Sequence, residues 1–194
     1  IGLNDEAIKS AFDQAAADVK QWVDDLPAEP ETADLDPVED LLAPGQIIGT
    51  PDADASFYEP QVLNDTCAVR CQELVLQCFT GNDEDFESLL QEATDHNWYR
   101  PGVGTMPEDV GKLLNLHGID TKTYRNADIY DLAYELSQGH KVIVGVDSGE
   151  LWSPGAEITE DYFSETADHA LVVTGIDTRD PNNVLVIVSD PGGR

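Results

Sequence analysis

Apolar side chains recur with a helical period between residues 67 and 138, and then give way to three dense, β-branched runs, Lys141 to Val146, His169 to Ile176 and Val184 to Ser189. A chain that places its helices first and its strands last does not build alternating βαβ units. The order predicts an α+β fold, a helical part followed by an antiparallel sheet. The helical part is expected to hold one helix from about Cys67 to Phe79, stopped by Gly81, and another from about Glu84 to Ala93 with Phe86, Leu89, Leu90 and Ala93 turned inward. A third should open at Thr105-Met106-Pro107-Glu108 and run through Val110, Leu113, Leu114 and Leu116 to Gly118, and a fourth spans Ala127 to Gln138 before Gly139.

Ahead of this region, residues 3–26 carry an apolar stripe that includes Ile8, Phe12, Val19, Trp22 and Val23, capped by Asn4 and stapled by Leu3 against Ile8. Such a stripe has to be buried somewhere. Pro27, Pro30, Pro37, Pro44 and Pro51 then recur among acidic residues with little periodicity, which reads as an extended linker. The expected organisation is therefore an amphipathic helix plus acidic, proline-rich linker over 1–55, and a second domain over 56–194.

Thirty-nine acidic residues against ten basic ones leave a formal charge of −29, which opposes binding to a phosphate backbone and argues against nucleic acid as a partner. The same field either draws in basic peptides or proteins or is a solvated surface that keeps the chain soluble. Its spread along the whole sequence favours the second. No apolar run is long enough to cross a bilayer and the first residues do not resemble a signal peptide, so the chain reads as soluble with its compartment open, the cytoplasm slightly favoured over export. The three cysteines, Cys67, Cys71 and Cys78, are too few and too close to form a disulfide framework. Nothing nearby completes a tetrahedral metal set, and no cofactor is called for.

The chemistry gathers around Cys67. Asn64-Asp65-Thr66-Cys67 puts a thiol in the first turn of a helix, with Asp65 or Thr66 available as a cap, where orphan N–H groups and the helix dipole favour a thiolate. A buried structural cysteine would give the same local pattern. The last two strands flank a segment dense in turn formers, Asp177 to Asn183, and a hairpin symmetric about Arg179 and Asp180 sets His169 directly opposite Asp190. A thiol nucleophile needs a base, and the base needs a group to orient it; this hairpin offers both. His96, His117 and His140 show no such partner in the sequence and read as structural or surface residues. Gln61, six residues before Cys67, carries an amide able to donate to an oxyanion beside the Cys67 backbone N–H.

A Gln six residues ahead of a helix-opening Cys, a His leading an apolar strand, and then Asp190-Pro191-Gly192 together resemble the papain-like, bacteriocin-processing (double-glycine) cysteine peptidases and their stand-alone relatives. The resemblance runs from about Phe57 to Gly193, and it departs from the family in having Cys67-Ala68-Val69 where many members have Cys-Gly-Pro. It implies a papain-like fold with Cys67 as nucleophile, His169 as general base, Asp190 as its orienting partner and Gln61 in the oxyanion hole, acting on a peptide or protein substrate. Transfer of the acyl group to an amine, deamidation on the same triad, and an inert peptide-binding module remain competing readings. The Gly192-Gly193 pair reads as a turn before it reads as a self-cleavage site.

Overall fold

The computed structural model describes residues 41–152 and 167–193, so the helix expected over 3–26 and the first part of the linker lie outside the described residues. Helices and a four-stranded antiparallel sheet make up the described part. In chain order they are β1 (Ile47–Gly49), α1 (Pro51–Asp54), α2 (Cys67–Thr80), α3 (Phe86–Asp95), α4 (Lys112–Leu116), α5 (Ile129–Ser137), β2 (Val142–Val146), α6 (Ser148–Trp152), β3 (His169–Asp177) and β4 (Leu185–Ser189).

β3 is the axis of the fold, buried from His169 through Ile176. At Val172 it is flanked by Ile143 of β2 and Ser189 of β4, and at Ile176 by Ile48 of β1 and Val186 of β4. Its alternating side chains feed two cores. Ala170 and Val172 join α2, α3 and α4 through Val69, Leu76, Leu89 and Leu113, while Leu171 and Val173 join Ala133 and Leu136 of α5 and Ile48 of β1. The pairing with β4 slips between Val173 and Gly175, and this bulge returns Ile176 to the face of Leu171 and Val173.

α2 is the buried helix. Its Gly81 C-cap is left-handed at φ 68° and donates to Gln77 O at 2.8 Å, as its place in the sequence implies. Thr66 takes the N-cap position, but neither expected side chain caps the helix: the Thr66 hydroxyl donates back to Leu63 O at 2.9 Å, and the Asp65 carboxylate accepts from Gly102 N at 2.6 Å. α3 is capped by Asp85, which accepts from Ser88 N, and α5 by Asp128 in a reciprocal capping box with Asp131.

Two further expectations about the elements change. The helix expected from Thr105 to Gly118 is broken into a 3-10 turn, Pro107–Asp109, and the short α4, because Gly111 takes φ 92° and gives its N–H to the buried Gln72 Oε1 at 2.9 Å. The second concerns residues 41–55, expected to continue the linker. They include β1 and α1, and Asp54 is buried against Lys141, whose Nζ lies 2.6 Å from its Oδ1. A three-residue strand ending in Gly49 is too short to leave a period, and its place depends on Gly49: a Cβ there would lie 2.4 Å from Thr174 O.

Candidate active site

Cys67 opens α2, and the helix packs across β3 so that its first turn meets the first residues of that strand. The groups that act on the thiol are the His169 side chain and the backbone of Ala170 and Ala68. Burial pushes the thiol pKa up, but those groups and the positive charge of a protonated His169 outweigh it, and the pKa falls below the ordinary 9.0. Its neighbours on the helix behave differently. Cys71 is buried and held well above the ordinary range by desolvation, and Cys78 is pushed up to about 12 by burial and by Asp54, to which its thiol donates at 3.5 Å. All three are free thiols.

His169 Nε2 lies 2.6 Å from Asp190 Oδ1, which leaves Nδ1 as the ring nitrogen for the thiol. Interaction with the Cys67 side chain raises the imidazole pKa most; burial opposes it, and Asp190 adds to the rise, so the ring ends above 6.5. Burial would raise the Asp190 carboxyl, yet the bonds from His169, Trp152 Nε1 and Gly192 N hold it below 3.8.

The contact between His169 and Asp190 is not made by the expected register. Asp177 pairs with Leu185, not with Asn182 as symmetry about Arg179 and Asp180 requires, and the ladder ends at Val172 with Ser189. The longer loop has local causes: Arg179 folds back on Asp177 through its backbone N–H and its guanidinium, and Asp180 accepts from Asn182 N at 3.0 Å. Asp190 therefore lies past the end of β4, in a turn closed by Gly193 N donating to Asp190 O at 3.0 Å. The Gly192-Gly193 pair belongs to this turn.

Gln61 is tied to the same turn, its backbone N–H donating to Pro191 O at 2.8 Å. Its side-chain Oε1 is buried without a hydrogen-bond partner. Across the start of α2, Asp65 holds the Arg100–Gly104 turn through Gly102 N, and a Cβ on Gly104 would approach Asp65 O to 3.2 Å.

Nothing in the sequence points to Trp152. Its indole Nε1 donates to Asp190 Oδ2 at 3.1 Å and its ring centroid lies 5.0 Å from that of His169. A Trp among Ser, Gly and Pro is a weak signal, and no spacing rule links it to position 190. The remaining histidines need one correction: His117 and His140 do have carboxylate partners, Glu92 and Glu135, but on the surface and with no thiol among their hydrogen-bond partners. His96 stacks on Trp98. Among the described residues no group of three or more His, Cys, Asp or Glu could hold a metal ion, and no helix is long and apolar enough to cross a membrane.

A mixed fold of this kind, with helices beside an antiparallel sheet and an imidazole bonded to a carboxylate at one end of its central strand, is compatible with a papain-like peptidase. The family model of the Peptidase_C39 like family matches residues 54–194, and the chain belongs to that family. Similar proteins include the uncharacterized protein Mb1299c of Mycobacterium bovis and the uncharacterized protein Rv1268c of Mycobacterium tuberculosis, each 26% identical over 77% of this chain and 74% of its own length. No solved structure matches.

Proposed function

We propose that this chain is a cysteine peptidase that hydrolyses a peptide or isopeptide amide through a thioester. The observation that carries the reading is the 2.6 Å bond of Asp190 to His169, with Cys67 and His169 acting on each other so that the thiol pKa is lowered and the imidazole pKa raised. Opposite shifts in an interacting pair favour thiolate and imidazolium together, the form competent to attack.

The Cys67 thiolate adds to the carbonyl carbon, and the C=O electron pair moves to oxygen. The backbone N–H of Cys67, in a helical first turn where N–H groups lack intrahelical acceptors, and the Gln61 amide stabilise that oxyanion. Collapse expels the amine, which takes its proton from His169, and leaves a thioester on Cys67. His169 then accepts a proton from water as the hydroxyl adds to the thioester. The second collapse releases the carboxylic acid, regenerating thiolate and imidazolium. Asp190 holds the ring in place and stabilises its positive charge throughout.

The test combines turnover of a peptide library with mass-spectrometric mapping of mild alkylation at neutral pH. Cys67 is expected to label ahead of Cys71 and Cys78, with His169→Ala suppressing that preference and Cys67→Ala abolishing turnover. Gln61→Ala should slow acylation by roughly 100-fold while leaving alkylation intact, because alkylation develops no oxyanion. Amidase activity in Cys67→Ala, or uniform labelling of the native chain, would overturn the assignment.

A further inference from the structure

We propose that Trp152 is a positioning residue that sets the orientation of His169 through Asp190. The inference rests on the peptidase reading and adds a residue to it.

The Asp190 carboxylate is held from both sides. Oδ1 accepts from His169 Nε2 at 2.6 Å and from Gly192 N at 2.8 Å, while Oδ2 accepts from Trp152 Nε1 at 3.1 Å. Rotation about Cβ–Cγ moves both oxygens together, so a donor on Oδ2 adds a second restraint on the plane in which Oδ1 meets the imidazole. The indole also lies at 5.0 Å and 50° to the His169 ring, so one side chain contacts both members of the pair.

The helix that delivers Trp152 is anchored beside His169. Ser148 N donates to Asp168 Oδ1 at 2.7 Å, Ser148 Oγ donates to Asp168 Oδ2 at 2.8 Å, and Asp168 N donates to Val146 O at 3.1 Å. The start of α6 is thereby fastened to the residue preceding His169. Trp152 nevertheless stays 49% exposed and belongs to neither apolar core. A large aromatic side chain that is not used for core burial, yet donates its N–H to a carboxylate engaged with an imidazole, is explained by that contact.

The experiment is a double-mutant cycle in the full chain, read by the rate of Cys67 alkylation with iodoacetamide at neutral pH. Trp152→Phe keeps an aromatic ring and loses the donor, and should slow labelling roughly 3- to 10-fold, the scale of one typical net hydrogen bond. In an Asp190→Asn background the same change should cost less than about 2-fold, because the route it acts through has been altered. Trp152→Gln, whose amide nitrogen stands as many bonds from Cα as the indole nitrogen, should recover part of the loss. Equal losses in both backgrounds, no loss in Trp152→Phe, or a Gln variant no faster than Phe each overturn the proposal. The unaltered chain and His169→Ala belong to the same series: labelling that ignores His169 sinks the peptidase reading as well, whereas His169-dependent labelling with additive Trp152 and Asp190 effects sinks this proposal alone.

Discussion

Gly192 lies beneath Trp152 so closely that a Cβ at position 192 would stand 2.7 Å from the indole Cζ2, and it would also stand 3.0 Å from His169 Cε1. The missing side chain at 192 is thus what lets the indole and the imidazole share the space beside Asp190. Gly192→Ala is expected to displace one ring or the turn itself. Overpacking of this kind costs about 1–3 kcal/mol, and misplacement near 1 Å can cost roughly 100-fold in rate. Alkylation of Cys67 and peptide turnover should therefore fall well beyond what a thermal melt of the same variant explains; unchanged rates would mean that the turn yields freely.

The pH dependence of labelling follows from the shifts at Cys67 and His169. A thiol pKa below 9.0 means that thiolate appears at lower pH than on an ordinary cysteine, and an imidazole pKa above 6.5 means that the ring keeps its proton to higher pH. Cys67 should label with a rising limb below that of a free thiol, and His169→Ala should move that limb upward. The stability sign for His169 is the reverse of an acid's. Its folded pKa is raised, so its contribution is complete below 6.5 and is lost as pH rises through the folded value. Urea midpoints of the unaltered chain and His169→Ala should converge over that rise, and a widening gap would contradict it.

Asp54 and Lys141 form an ion pair with both side chains nearly buried, at 4% and 10% exposure, and Lys141 Nζ also donates to Thr50 Oγ1 at 2.6 Å. Removing one partner strands the other charge, so Lys141→Ala should destabilise by about 3–5 kcal/mol in urea unfolding. The double variant Asp54→Ala/Lys141→Ala should lose less than the sum of the two single variants. Full additivity would show that the pair is not coupled.

Asp65 ties the Arg100–Gly104 turn to the start of α2, and Tyr99 is pushed up to about 12 by burial and by the same carboxylate. Asp65→Ala should release the turn, with amide exchange at Gly102 rising and stability falling by about 1–3 kcal/mol. Unchanged exchange at Gly102 would show that the turn is held by its own Arg100 to Gly104 bonds.

Much of the fold was legible because its elements declare themselves locally. Gly81 ends α2, Gly139 follows α5, and the dense runs at 142–146, 169–177 and 185–189 are strands wherever they are placed. Hidden were elements whose stability is borrowed from distant residues. β1 needs Gly175 and Ile176 beside it, α6 needs Asp168 at its start, and the break at Gly111 needs the Gln72 carboxamide.

The four candidate site residues show the same division. By itself the sequence determined which groups are available: a helix-opening thiol at Cys67, an imidazole at the head of a buried strand, a carboxylate in an Asp-Pro-Gly turn and an amide at Gln61. Residue type and local period are written in neighbouring positions, and neighbouring positions suffice to read them. Only the tertiary structure decided how His169 meets Asp190, through the turn beyond β4 and not through the ladder, since a bulge and a longer loop slide one strand past the other. Only it brought Trp152 and Gly192 to the same carboxylate, because they are 40 positions apart in the sequence and meet through the packing of α6 against the end of β3.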